Sequence, residues 1–507
     1  MTAVTTETEL KLRFSPADLR EVLASPVLAS SQGARTQKLA ATYFDTPALD
    51  LWRRHIALRV RREDGRWIQA VKGGGAAHSG VHTRVEIETV LNSARPEVSG
   101  LPRHAITRIL ESPKVAGTLV PVVRTAITRS LRLLEPAPGV LIEAAIDRGV
   151  IRGGRRRELI CELELELKSG PVSALFDLAQ RLAEQVPLAL EHRSKAERGY
   201  ALFSTQVMAP AKALPVLLTP EMTAGDAFRV IAAAALAQIH ANEHGVGRSG
   251  DPEYLHQMRV GMRRMRSALT LFRELLGESA VPHAAALRAI AVDLAPARDW
   301  DVLVGETLPA VAAASTRRVV TAAFAQVCAR YRAAARRKAK LSIKTISYNS
   351  TLLALGGWLA TVPPAGVAAW REPARTYAMR VLEARHARVI KRGRHLGRLT
   401  VAELHRLRIA VKKLRYAVEF FAGLFQIKAM TVQRARLAKL QDILGSINDA
   451  AAVEPLLAAA VAAAPARAVG TADRGVRDWY QARAASQRAK LQRAWRRFRA
   501  AHRPWRK

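Results

Sequence analysis

Glu7, Glu9 and Lys11 occupy alternate positions of TETELKLRF, residues 6–14, and Leu10, Leu12 and Phe14 take the other parity. A strand sends successive side chains to opposite faces, so two carboxylates and an amine share one side. The pattern returns as Arg59, Arg61 and Glu63 in ALRVRRE, as Arg84, Glu86 and Glu88 in RVEIETV, and as Glu143 and Asp147 in LIEAAIDR. It is densest in CELELELK, where Glu162, Glu164, Glu166 and Lys168 oppose Cys161, Leu163, Leu165 and Leu167. One such strand is a solvated face. Repeated, the pattern fits strands closed around a charged interior, which is costly unless filled by compensating charge. Clustered carboxylates call for a divalent cation and clustered bases for a polyanion, so the ligand expected is a metal-bound oligophosphate.

A second set of candidates is helical. HQMRVGMRRMRSALTLF, from His256, and HRLRIAVKKLRYAVEFF, from His405, share H-x-x-R-x-x-x-[RK]-[RK]-x-R at an offset of 149. LAPARDWDV from Leu294 and LGSINDAAAV from Leu444 repeat at 150, so the region is duplicated. At about 100° per residue, His256, Arg259, Arg263 and Arg266 fall within about 80° of arc, opposite Met258, Met262, Met265 and Leu269. His405, Arg408, Lys412 and Arg415 repeat the cationic face. Solvated helix faces usually mix both signs of charge, and these do not. The two histidines could contact phosphate or simply pack. Arg298-Asp299 in the first copy faces Asn448-Asp449 in the second, which leaves a structural and a binding role open for Arg298. The basic runs ARRKAKLSIK, from Ala335, and LQRAWRRFRAAHRPWRK, at the C-terminus, read equally as an extended field or as solvated faces.

The elements that must hold these residues divide the chain. Residues 1–204 read as strands with a few helices, 205–221 as a Pro-rich linker, and 222–505 as all-helical in two repeats, about 222–355 and 370–505. The fold class is therefore multi-domain, α and β. The 507 residues carry 80 Lys and Arg against 43 Asp and Glu, a net charge of +37, which implies a polyanionic partner. Most of that excess belongs to the second part, since residues 1–200 hold 30 basic and 23 acidic side chains. Aromatic residues make up only 5% and no recognition-helix motif is present, which argues against nucleic acid. Cys161 and Cys328 form no zinc motif, no leader or apolar span stands out, and a cytoplasmic protein with no membrane partner is expected.

Glu7-x-Glu9-x-Lys11 resembles the ExExK signature of the CYTH, or triphosphate tunnel metalloenzyme, superfamily. YFDT at 43–46, LRVR with Arg59 and Arg61, AVKG with Lys72, RVEIE with Arg84, ELELELK, and HRSKAERGY with Lys195 and Arg198 follow in order. The resemblance implies an eight-stranded antiparallel β-barrel tunnel with covering helices. In it Lys11, Arg59, Arg61, Lys72, Arg84 and Lys195 would hold phosphate, while Glu7, Glu9, Glu164, Glu166 and, less closely matched, Glu162 would hold Mg²⁺ or Mn²⁺. One further tunnel base is due from VVRTAITR, where Arg124 and Arg129 have opposite parity and Arg129 is preferred. The helical part resembles the CHAD domain, a duplicated four-helix bundle whose basic groove binds inorganic polyphosphate. Together these imply an inorganic triphosphatase, with Glu7, Glu9 and Lys11 central to catalysis and a polyphosphate-binding helical domain. The alternative is a non-catalytic protein associated with polyphosphate or its granules.

Overall fold

The alternating stretches form strands: β1 (Ala3–Arg13), β2 (Arg35–Asp45), β3 (Ala57–Glu63), β4 (Arg66–His78), β5 (Val81–Leu91), β6 (Val120–Ala137), β7 (Val140–Gly153), β8 (Arg156–Ser169) and β9 (Ala189–Leu190). The structure is a computed structural model that describes residues 3–29, 33–63, 65–78, 81–204, 209–314, 320–362, 368–464 and 466–506, with side chains in all of these except 3–6, 75–78, 82–84 and 466–471. The strands make one antiparallel sheet in the order β5-β4-β3-β2-β6-β7-β8-β1-β9, and β1 also pairs with β5. The sheet has nine strands where eight are expected. The extra one is a two-residue strand whose Ala189 and Leu190 pair with Arg13 and Leu12. Gly139 and Gly154, at φ 76° and 58°, turn β6 into β7 and β7 into β8 in the left-handed region that a side chain would strain.

Helices of eight residues or more are numbered here. On the sheet lie α1 (Ser173–Ala183) and α2 (Lys195–Phe203). The helical part contributes α3 (Ala224–Arg248), α4 (Pro252–Leu271), α5 (Val281–Asp293), α6 (Ala295–Val302), α7 (Ala322–Ser342), α8 (Ile346–Thr361), α9 (Ala374–Arg392), α10 (Val401–Phe420), α11 (Ile427–Ala463) and α12 (Ala466–Arg499).

Two compact units result, Met1–Ala209 with Lys344–Thr361, and Pro210–Ile343 with Val362–Lys507. The first break falls inside the expected linker, while 344–361 goes to the strand unit instead of the first helical repeat. Of the expected linker, Ala211 is bound through its N–H and C=O to the side chain of fully buried Asn242, at 3.0 and 2.9 Å, and from Pro210 on the stretch belongs to the helical unit. Helix α8, expected inside the first helical repeat, instead packs on α1 of the strand unit. There a Cβ on Gly357 would lie 3.0 Å from Phe176 Cβ, and Leu352, Leu353 and Leu355 are buried.

In the strand unit the apolar parity is core: Leu10, Leu12, Leu163 and Leu165 are at most 1% exposed, as are Leu175, Phe176 and Leu182 of α1. This leaves the polar parity on the sheet's other face. In the helical unit Phe228, Phe272, Tyr377 and Phe421 pack ring on ring. The duplication shows in α4 and α10, each begun by a side-chain cap, Asp251 or Thr400. It breaks at Pro296, near the start of α6, because proline has no N–H to continue a helix; Ser446, its counterpart, lies within the unbroken α11. Among the described residues one helix, α11, is long and apolar enough by composition to cross a membrane. Its Leu437, Leu440, Leu444 and Leu457 are buried in the helical unit.

Candidate functional site

Glu164 is the hub of the polar interior. Lys11 and Lys195 donate to its Oε1 at 2.7 and 2.8 Å, and Arg129 donates to Oε2 at 2.6 Å. Strand β1 delivers Lys11 and β6 delivers Arg129, while Lys195 starts α2, whose Ser194–Glu197 capping box fixes that end of the helix. Burial alone would raise the Glu164 carboxyl, but the charges of Lys11, Lys195 and Arg129 override it and hold it well below the carboxylate range. The reciprocal effect raises Lys11, Lys195 and Arg129: burial would lower them, and the facing carboxylates win.

Asp147, fully buried, completes this group. Arg129 grips it with a two-pronged contact at 2.7 and 2.6 Å, and Lys195 reaches it at 2.9 Å. Glu162 is also enclosed, at 1% exposure, with Lys195 at 2.9 Å and Arg198 on its other oxygen. Of the two candidate bases on β6, Arg129 faces inward and Arg124 is exposed.

A second group forms around Glu7. Lys72 bridges Glu7 and Glu86 at 2.7 and 3.0 Å, Arg59 approaches Glu86 at 3.3 Å, and Arg61 joins Glu88 and Glu63 at 3.1 and 2.9 Å. Burial, together with a hydrogen bond to Glu86, raises the Glu7 carboxyl against the pull of Lys72. Glu166 is raised too, first by burial, with the charges of Glu7 and Glu143 adding to it against Lys168. Arg61 is lowered by burial and by neighbouring Arg59. Glu9 meets Lys11 at 2.9 Å. The backbone of Arg84 pairs with that of Glu7 across β1 and β5, and its side chain lies outside the described residues.

The interior therefore brings together Glu7, Glu9, Lys11, Arg59, Arg61, Lys72, Arg129, Lys195, Glu162, Glu164 and Glu166. Asp147, Glu86, Glu88 and Arg198 belong to it as well, although their positions in the sequence implied no role for them. All but Arg198 carried the same alternation, and Arg198 stands one helical turn from Lys195. Chemically, the arrangement offers a file of cations already neutralised by carboxylates. An entering polyanion can take the cations only if its own counter-charge takes the carboxylates.

The helical candidates also converge. Lys412 of α10 is pushed down to about 8, by burial first and then by Arg263, Arg408, Arg266 and Lys413. The cationic faces of α4 and α10 thus confront one another. Arg259 donates to the Ala291 carbonyl at 2.6 Å and Arg415 donates to Gln441 at 2.9 Å. The first arginine of each copy has an aspartate in its field, Arg259 with Asp299 and Arg408 with Asp449. In both, the guanidinium Nε is buried with no hydrogen-bond partner among the described residues. A buried donor left unpaired is costly, and the same one is left in both copies. His256 is half-buried and lowered by burial and by Arg298, while His405 is exposed. Arg298 pairs with Glu306 at 3.1 Å. Of the basic run from Ala335, Arg336 is structural, since with Arg332 it neutralises fully buried Asp301, at 3.2 and 2.7 Å.

Residues 5–200 match the CYTH domain family and residues 230–458 the CHAD domain family. An inorganic triphosphatase of Haemophilus influenzae is 33% identical over 205 residues, 40% of this chain and 56% of that protein. An uncharacterized protein of Mycobacterium tuberculosis is 28% identical over 285 residues, 53% of this chain and 52% of its own length. The chain thus spans about half the length of the curated relatives it matches. The crystal structure of the CHAD domain from the plant Ricinus communis is 30% identical with a TM-score of 0.53, covering 59% of this chain and 99% of that one.

Proposed function

Since the chain carries a CYTH domain followed by a CHAD domain, we propose that it hydrolyses inorganic triphosphate in the strand unit and binds inorganic polyphosphate on the helical unit. The observation that carries this reading is the polar interior, where six cations from four strands and a helix all rest on carboxylates. In the proposal β1, paired on both sides, helps enclose a tunnel, and triphosphate enters along the file of cations.

Lys11, Arg129 and Lys195 bind phosphate oxygens at one end of the file and Arg59, Arg61 and Lys72 at the other, with Arg84 assigned to the same role. Their charge disperses the negative charge that shifts to the leaving group. Asp147 holds Arg129 and Lys195 in place. The donor set fits a hard divalent cation, because all its members are carboxylates and two of them, Glu7 and Glu166, are raised by burial first and then by neighbouring carboxylates, a penalty that a bound cation would offset. Glu7, Glu9 and Glu166 would hold Mg²⁺ or Mn²⁺, each in exchange for one lysine partner; Glu162 and Glu164 would join only by releasing several Lys and Arg partners. When bound, such an ion neutralises phosphate and activates water. The proposal places the protein in the cytoplasm, where its phosphate polymers would be met.

The test is phosphate release from triphosphate with Mg²⁺ or Mn²⁺. Glu7→Gln with Glu9→Gln is expected to lower turnover by at least about 100-fold, a loss of the size seen when one electrostatic contact to a transition state is removed. Unchanged turnover overturns the assignment.

A further inference from the structure

The C-terminal basic run is absorbed by neither site. It begins in α12 and continues past its end at Arg499, beyond the residues matched to the CHAD family. Residues 479–506 contain no Asp or Glu. Its cations divide into two kinds. Arg503 and Arg506 are consumed by Glu383 of α9, which also accepts from the indole of Trp505, 2% exposed. Lys490, Arg493, Arg496 and Arg497 are instead exposed and have no ion pair among the described residues. At about 100° per residue they span about 120° of arc, on the side opposite Leu491, Trp495 and Phe498. Those three are buried at 3%, 5% and 0% exposure, so the stripe is held rigidly outward.

The stripe adjoins the groove. Lys413 of α10 is lowered by burial and by Arg385, Arg388 and Arg392 of α9, so the cationic field runs from α10 onto α9. Arg392 also donates to the Arg406 carbonyl at 2.7 Å. The turn that follows α9 meets α12 directly: a Cβ on Gly393 would lie 2.2 Å from the Trp495 ring, and one on Gly397 would lie 3.9 Å from Gln492. The same turn exposes Arg394 and Arg398. No carboxylate breaks the sequence of that turn from Arg392 to Thr400.

We propose that this surface, from the turn after α9 to the outer face of α12, is a second polyanion track that takes the part of a long inorganic polyphosphate chain extending beyond the groove. The inference rests on the reading of the groove as a polyphosphate site. A phosphate polymer suits the track because its aromatic rings face inward, which leaves charge as the means of attraction and none of the stacking that single-stranded nucleic acid uses.

The test uses the full chain with Arg493→Gln, Arg496→Gln and Arg497→Gln combined. All three positions are exposed, and circular dichroism checks that the fold is kept. Binding is measured against size-fractionated polyphosphate, short and long, over a range of salt. Each phosphate neutralised on a single-stranded polyanion contributes about 0.7 to the slope of log affinity against log salt, so the triple variant is expected to lose about 2 from that slope for long chains. Affinity for long chains should fall about tenfold and that for short chains should stay as in the parent. Unchanged long-chain binding overturns the track, as does equal loss at both lengths. A loss confined to duplex DNA, assayed in parallel, overturns it in favour of a nucleic-acid surface. Arg263→Gln with Lys412→Gln tests the groove separately, because retention of short-chain binding there removes the groove reading whatever the triple variant does.

Discussion

The interior of the strand unit and the facing basic sides of α4 and α10 in the helical unit both concentrate cations, and they treat them in opposite ways. In the strand unit every described cation of the file faces a carboxylate, and Lys11 and Lys195 are raised. Between α4 and α10 cations face cations, and Lys412 is pushed down to about 8. The first site is balanced before any ligand arrives and must exchange partners to bind. The second holds repulsion that a polyanion relieves at once. Balance suits a site that must discriminate and orient a short substrate; repulsion suits one that holds a polymer through charge alone.

The largest expected effect sharpens the first half of that contrast. Arg129→Ala strips fully buried Asp147 of its two-pronged partner and Glu164 of one of three cations. It should cost about 3 kcal/mol of stability, the penalty for leaving a buried charge uncompensated. Triphosphate turnover should drop about 100-fold as well. Chemical denaturation and phosphate release check the two, and a variant as stable as the parent would mean that the interior is not balanced by these pairs.

A pH titration probes the other half. Lys412 protonates at about 8 in the folded chain against an ordinary 10.5, so between those values the unfolded state binds more protons and stability rises with pH. Bound polyanion favours the charged amine, so polyphosphate affinity should fall as pH rises through 8 to 9. Calorimetry across that window, with Lys412→Arg as the control that flattens the profile, decides it. A flat profile in the parent chain would place Lys412 outside the binding surface.

The smallest effect concerns how the strand unit is completed. Gly357→Ala puts a methyl 3.0 Å from Phe176 Cβ and Gln180 Nε2, and the crowding should cost about 1 kcal/mol, read as a lowered Tm of the full chain. No change in Tm would show that α8 sits loosely on α1.

Alternation of charge in the sequence is enough to assign the inner face of β1, β3, β5, β7 and β8, because a strand's side-chain period is fixed by backbone geometry. The same logic separates Arg129 from Arg124 once one of them is known to face inward. The internal duplication is likewise legible, since two landmarks keep nearly one offset, and so is the cationic face of each copy. Parity says nothing about distance, however. That Glu164 receives three cations from β1, β6 and α2, and that Asp147 holds two of them, depends on which strands become neighbours. The sequence contains the members of each charge cluster but not their partners.

The sequence by itself determined the strand faces, the two helical copies and the sign of the charge each would present, because these follow from local periodicity and composition. Tertiary structure alone decided that α4 and α10 turn their basic faces toward each other and that α8 leaves the helical repeats to cover α1. It also decided which carboxylate rests on which base. Those outcomes rest on packing between segments far apart in the chain, where the fit of surfaces and the cost of burying charge are settled only when the segments meet.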